Sequence, residues 1–436
     1  MKRKIIILLS IYFLLSAQNI FSQVEDTLIY RYRRIAVDYQ QQVKMAERGL
    51  KGAESKLKAA KSVYGPKLDF SGNYGYYGNA LKLAPPADAP VGTPGEELHS
   101  LYSLDLTLYQ PIITGGNLKN KKLAAQSEVD AMRGYLKLSK QEVMFNADKL
   151  YLNTVAKKEI YNLAIEYRNV VNDFVNVIKS KVEEEVVGKN ELYQSKVRLN
   201  DAQYQVLKAA KDFEMSIMDL NKLLGFPVDT LPRVADSLMP LVKSFSADSL
   251  IVRALKNRPE LTYLNGKAMA TKYNEKVTVS KFKPQFGALA GGKWGAPSPG
   301  LKTDPDFNYY FKAQLKIPIY YWGQKQNEYN AVRQATQIAQ LRVEQTKDAV
   351  VLQVQRSYYN LEKSQEQMKF AKSALNNAKK NVSVMLDRYN EGLSSVLEVL
   401  DAQAFLQKSF LNYIEAKYDV NVAYSEYMHA LGEMAK

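Results

Sequence analysis

Gln110–Asn120 (QPIITGGNLKN) and Ile317–Asn327 (IPIYYWGQKQN) are two versions of one joint. Pro111, Gly116 and Asn120 recur 207 positions later as Pro318, Gly323 and Asn327. The same spacing relates Val143 to Val350, Tyr151 to Tyr358 and Asn153 to Asn360, and it carries the closing Gly225 of "LLG" onto the Gly432 of "ALG". Upstream, YGPKLDF (64–70) resembles KFKPQFG (281–287) at a slightly different spacing. An internal repeat of this length limits the fold more than any other feature, because both halves must use the same elements. The copies are read as 23–225 and 247–436. Residues 226–246, part of a stretch with three Pro, form the linker between them.

Each copy reads as helix, strand, strand, very long helix, tip and returning helix. In the first, Asp26–Ser62 has helical composition, and strands are expected at 67–79 and 100–110. There Leu68, Phe70, Tyr74 and Tyr76 alternate with polar neighbours, as do Leu104, Leu106 and Leu108. In the second, strands are expected at 284–295 and 307–318. Phe286, Ala288, Ala290 and Trp294 share one face, and Phe311, Ala313, Leu315 and Ile317 another. The period then turns helical. Ile160, Ala164, Tyr167, Val171, Phe174 and Ile178 form a heptad seam, as do Met368, Ala371, Leu375, Ala378, Val382, Met385 and Tyr389. Leu199, Ala202, Val206, Ala209, Phe213, Ile217, Leu220 and Leu224 form a return stripe. Each long arm of about 70 residues spans roughly 100 Å at 1.5 Å per residue. The tips are expected near Gly188 and Gly392.

Strands of this pattern suit soluble sheets and membrane barrels alike. In a membrane, four strands cannot close a barrel, and an open edge in hydrocarbon costs several kcal/mol per unpaired group. Copies of the chain would have to share one barrel. Two give eight strands and a filled interior, whereas three give twelve and room for a lumen. Asp69, Asn73, Asp105, Thr107, Lys312, Gln314 and Lys316 on the inward face favour three. At the joints, Pro111 and Pro318 are expected to end the ladders, and Gly116 and Gly323 to bend strand into helix. Tyr320, Tyr321 and Trp322 suit a membrane interface.

The N-terminus reads as a secretory leader over 1–22. Lys2, Arg3 and Lys4 precede the apolar run Ile5–Leu15, with a cut between Ala17 and Val24. No other stretch is long and apolar enough to span a bilayer as a helix. The chain has no Cys, which excludes disulfides, thiolate metal sites and a lipidated N-terminal Cys. Its net charge of +15 is spread along helices beside Glu and Asp, which with a secreted destination argues against nucleic acid as a partner. Thirty Tyr suit interfaces and wet packing surfaces. Neither His99 nor His429 has candidate catalytic partners nearby in sequence. No phosphate-binding loop, nucleophile elbow or zinc motif is present, so no enzyme activity, metal site or cofactor is expected.

The strand–Pro–Gly–helix joints, SLIVRALKNRPEL (249–261) and RYNEGLSSVLEVLDAQAFL (388–406) resemble those of the TolC-like outer membrane efflux protein family. The resemblance covers essentially the whole mature chain. It implies a mixed α and β membrane protein in which antiparallel helical hairpins form a coiled-coil tunnel and four strands per protomer contribute to a trimeric twelve-stranded barrel. It implies an outer membrane location with a periplasmic extension, a homotrimer, a periplasmic adaptor, and an inner-membrane pump of RND, ABC or MFS type reached through that adaptor. Glu398 and Asp401 match carboxylates that ring the closed mouth, and Tyr389 matches a residue that latches it. Ser394 and Gln194 stand where some members carry a latching Arg and Asp, so that salt bridge is not expected here. Gly188 and Gly392 are expected to supply turns at the tips, where the adaptor docks. The competing expectation is a periplasmic coiled-coil scaffold or adaptor without a barrel.

Overall fold

A computed structural model describes residues 28–83, 85, 90–91, 94–240, 250–297 and 304–434. The expected leader lies outside the described residues. The chain divides into two compact units, 1–48 with 134–261 and 345–436, and 49–133 with 262–344.

The second unit is organised by one antiparallel sheet. Its strands β1 (Lys67–Leu83), β2 (Glu96–Ile113), β3 (Gln285–Ala296) and β4 (Asp306–Lys316) lie in the order β1-β2-β3-β4. The register sorts most side chains by polarity. Phe70 faces Leu106, Leu106 faces Gly292 and Gly292 faces Tyr309; Leu68, Leu108, Ala290 and Phe311 form the next row of the same face. The other face carries Asp69, Thr107 and Tyr310, then Ser71, Asp105, Lys293 and Asn308. Among the described residues, no layer of the unit covers the apolar face. Phe311 is 81% exposed, Tyr309 71% and Phe70 69%. Among the described residues, β1 and β4 have no partner on their outer edges.

Strand boundaries differ from expectation at the end of β1, at both ends of β2 and at the end of β4. The β1–β2 ladder continues past Tyr76 through a register shift to Leu81–Leu98, Lys82–Glu97 and Leu83–Glu96, with Lys82 and Glu97 ion-paired at 3.0 Å. Charged pairs there hide the alternation that marks the rest of the strand. Pro111 does not end its ladder. It lies within β2 opposite Gly287, and a shift between Pro111 and Ile113 absorbs its missing donor. Pro318 does follow the end of β4 at Lys316.

Helix α1 (28–39) precedes α2 (Gln41–Ser62). Within the second unit, α2 and the start of α3 (Asn117–Glu183) bury Ala53, Leu57 and Val129 together. Helix α6 (Pro259–Ser280) approaches α3 so closely that a Cβ on Gly266 would lie 2.6 Å from the Ala131 backbone. Lys267 pairs with Glu128 at 2.6 Å beside that contact.

The first unit is helical. It contains the remainder of α3 with α4 (Lys189–Leu224), α5 (Leu250–Asn257), and most of α7 (Gln324–Asn390) with α8 (Val396–Ala430). Helices α3 and α7 are each 67 residues long, and both of their ends lie 207 positions apart. The heptad seams are the buried lines. Ala164, Tyr167, Val171, Phe174 and Ile178 are buried, as are Met368, Leu375 and Tyr389. Each buried Leu or Ile contributes about 1.5–3 kcal/mol relative to exposure. A second stripe on α4, comprising Tyr193, Val197, Tyr204, Leu207, Met215 and Met218, is exposed at helical spacing.

The NRPEL stretch acts as a clasp. Arg258, buried, donates to the carbonyl of His429 (2.9 Å) and to Gln353 (2.6 Å) and pairs with Glu260 (2.8 Å). Arg253 and Asn257 hold Glu433. Gly432, at φ +73°, lets the end of the chain close on Asn257, where a Cβ would sit 3.0 Å from backbone. His429 stacks on Phe145 with ring centroids 5.1 Å apart. Burial, then the charge of Arg258, lowers the His429 pKa to about 4. Its folded value lies below its unfolded value, so the neutral ring contributes stability above pH 6.5 that is lost as the pH falls toward 4, by about 3 kcal/mol in all. Melting curves across that window should slope less in His429→Phe than in the parent, and parallel slopes would refute the assignment.

Candidate functional site

The tips of the two hairpins share one apolar cluster. Phe174 and Ile178 from α3, Tyr389 from α7, and Val396, Val399 and Leu400 from α8 are buried together, with Val187 and Leu192 packed against them. Tyr389 meets Phe174 edge-on at 5.5 Å, and the Lys181 ammonium lies 4.1 Å from its ring centre. The Tyr389 hydroxyl is buried without a hydrogen-bond partner, and burial, then the charge of Glu191, raises its pKa. Tyr389 is therefore a packing residue of the cluster.

Both tips use the same backbone device on different residues. At the first, Val186 N–H donates to the carbonyl of Lys181 (2.9 Å), and at the second Leu393 N–H donates to that of Arg388 (2.8 Å). The positive φ falls on Glu185 (+61°) in one and Gly392 (+77°) in the other. Gly188 instead takes an extended conformation (φ −77°) as the N-cap of α4, the place that Ser395 holds on α8. The expected equivalence of Gly188 with Gly392 is thus corrected. At the 207-residue spacing Gly392 corresponds to Glu185, and Gly188 to Ser395. A Cβ built on either glycine would meet nothing within 4 Å.

The two acids past the second tip have separate partners. Glu398 closes a capping box with Ser395: its Oε2 accepts from Ser395 N–H at 2.6 Å, and its own N–H donates to Ser395 Oγ at 3.3 Å. The Ser395 backbone bond, then the Ser395 hydroxyl, holds the Glu398 carboxyl below the usual carboxylate range. Asp401 accepts from Arg198 of α4 at 3.2 Å. That ion pair joins the two hairpins 203 residues apart in sequence, one α-helical turn beyond Gln194. Gln194 is exposed, and Ser394 donates to the Met385 carbonyl of its own tip (3.2 Å). Among the described residues, no hydrogen bond joins Tyr389, Gln194 and Ser394 within one chain. Arg198 was not singled out from the sequence. Its signal was its place on α4, four residues after the position that matches Asp401 at the repeat spacing.

At the joints, Gly115 and Gly116 have φ of +60° and +89°, and Gly323 has +82°. A Cβ on Gly115 would lie 2.5 Å from the Lys283 side chain, so that position admits only Gly. Asn120 closes the first helical turn with a bond to the Gly116 carbonyl (2.9 Å). Trp322 is 87% exposed and has a positive φ of +47°.

The chain thus combines a four-stranded sheet that exposes an apolar face with long helical hairpins. The fold matches the Campylobacter jejuni CmeC outer membrane channel with a TM-score of 0.76 at 17% identity, covering 93% of this chain and 85% of that one. It matches the Vibrio cholerae outer membrane protein VceC with a TM-score of 0.78 at 15% identity, covering 94% and 97%. In sequence, the chain is 20% identical over 387 residues to the outer membrane efflux protein BepC of Brucella suis biovar 1 (strain 1330), covering 88% of this chain and 81% of that protein. Residues 250–433 match the family model described as outer membrane efflux protein. The chain thus shares the fold of these solved outer membrane proteins, and its residues 250–433 carry the sequence match to the outer membrane efflux protein model.

Proposed function

We propose that the chain is the outer membrane channel of a tripartite efflux or type I secretion system. It would be a passive conduit from an inner-membrane pump and periplasmic adaptor to the outside. One observation carries this reading: a sheet that exposes Phe70, Leu106, Trp294, Tyr309 and Phe311 on its apolar face, with both edges open among the described residues, is poorly suited to water and does not close by itself. Three copies joined edge to edge give twelve strands, lipid on the apolar face and water on the polar one. The exposed α4 stripe supports the same assembly, since it offers the helices an apolar seam for a neighbouring copy. The two halves, 23–225 and 247–436, are read as duplicated half-subunits joined through 226–246. Extraction from membranes only by detergent, with a heat-sensitive trimer band on gels, tests the assembly. A soluble monomer would instead indicate a periplasmic scaffold.

The tips are the periplasmic mouth in this reading. Three copies would place Glu398 and Asp401 in two rings of carboxylates. Arg198 neutralises the Asp401 ring and ties it to the first hairpin, while Glu398 is engaged in its cap. Removing Arg198 releases three carboxylates into the mouth. Single-channel recordings of Arg198→Ala should show more frequent opening and a stronger preference for cations, and Asp401→Asn the opposite preference. Equal ion selectivity in both variants would sink the role of the pair.

The tips are also the proposed adaptor contact. Gly188 is the cleaner probe of the two, because its φ suits any residue and its surroundings are open. Gly188→Trp should assemble normally yet reduce export severalfold, whereas full export by that variant would place docking elsewhere. At Gly392 any side chain strains the turn itself, so a loss there would say less.

A further inference from the structure

The sheet register arranges charge on the polar face in levels. Lys67 faces Tyr109, Tyr109 faces Leu289 and Leu289 faces Lys312, so two ammonium groups occupy one row, on the two edge strands. Lys316 lies four residues further along β4, about 13 Å toward the helical joint at strand rise. Between these levels the face carries Pro111, Gly287 and Gln314, and Gln285 lies opposite Lys316.

The carboxylates of this face all lie on the hairpin-loop side of the Lys67–Lys312 row. They are Asp69, Asp105 and Asp306. Asp105 is opposite Lys293 and accepts from Ser103 at 2.8 Å. Lys82 and Lys281 have carboxylate partners, Glu97 and Glu328. Lys67, Lys312 and Lys316 have none among the described residues. The Lys312 ammonium stands 4.4 Å from the Tyr310 ring centre. The hydroxyl end of that ring covers Gly291, where a Cβ would be 2.5 Å away, and its hydroxyl meets Thr107 at 3.1 Å. Tyr109 covers Gly287 in the same manner.

We infer that Lys67, Lys312 and Lys316 form a cationic collar at the joint end of the barrel, so that the channel favours anionic cargo, small organic anions in particular. The inference rests on the barrel reading. Three copies would place nine ammonium groups, none with a carboxylate partner among the described residues of its own chain, around the lumen where solutes pass from tunnel to barrel, and a charged ring of one sign concentrates the opposite ion. Screening shortens its reach to about 8 Å at physiological salt, so the effect is largest at low ionic strength.

Reversal potentials in planar bilayers under a KCl gradient test it. The triple variant Lys67→Gln, Lys312→Gln, Lys316→Gln should lower the chloride-to-potassium permeability ratio by about threefold or more. The triple Lys→Arg variant should keep the parent ratio. Channels of ordinary conductance whose ratio is unmoved by the Gln substitutions would overturn the collar. Should the triple Gln variant not assemble, Lys312→Gln alone is read: a smaller shift of the same sign supports the collar, and no shift overturns it. Absence of conductance from the parent protein would instead remove the barrel reading, and the collar with it.

Discussion

Asp148→Ala should destabilise the helical unit by about 3–5 kcal/mol, the cost of breaking a buried ion pair from one side. The Asp148 side chain is fully buried, and its two oxygens accept from Arg33 Nε and Nη2, each at 2.6 Å. Ser425 of α8 adds a third bond at 2.8 Å. Arg33 also donates to the Met434 carbonyl at 3.2 Å. One carboxylate on α3 therefore fastens α1, α8 and the last described residues. Burial works against the Arg33 charge, yet hydrogen bonding and attraction from Asp148 outweigh it, so the Arg33 pKa is raised. Removing the acid leaves a cation that is 13% exposed with no counter-charge. Removing both charges at once, as in Arg33→Met with Asp148→Leu, should restore much of the loss, because buried pairs replaced by apolar groups are often neutral. Heat denaturation of the purified protein separates these cases. A single Ala variant that melts with the parent would show that the pair is idle.

Leu106→Arg should block membrane assembly, whereas Thr107→Arg should not. The two residues are adjacent on β2 and point to opposite faces. Leu106 sits between Phe70 and Gly292 on the apolar face, and Thr107 between Asp69 and Gly291 on the polar one. In the proposed trimeric barrel, an Arg on the lipid face near the bilayer midplane would cost about 2–4 kcal/mol per chain, borne three times. An Arg on the lumen face stays in water. The assembled fraction in heat-sensitive gels should fall sharply for Leu106→Arg and stay near parent for Thr107→Arg. Equal assembly of both would mean that the two faces do not differ in solvent.

The strands were legible because Leu68, Phe70, Leu104, Leu106, Phe311 and Leu315 keep a strict period of two, and the sheet register follows that period. The helical seams were legible for the same reason at the heptad period. Positions governed by local backbone chemistry were harder to read. Gly188 and Gly392 were equated by residue type, while backbone geometry pairs Gly392 with Glu185, a residue that seldom takes a positive φ. Glu398 was read as a free ring carboxylate, though Ser395-x-x-Glu398 is a capping-box signature in its own right. Arg198 was invisible because its partner lies 203 residues away, and a helix pattern does not say which exposed residues of two hairpins meet.

The subunit count of the detergent-extracted protein bears most directly on the proposed channel, because in that proposal a four-stranded sheet with two open edges takes its missing strands from other copies. Native mass measurement of the extracted complex should give three chains. One chain, or two, would contradict it.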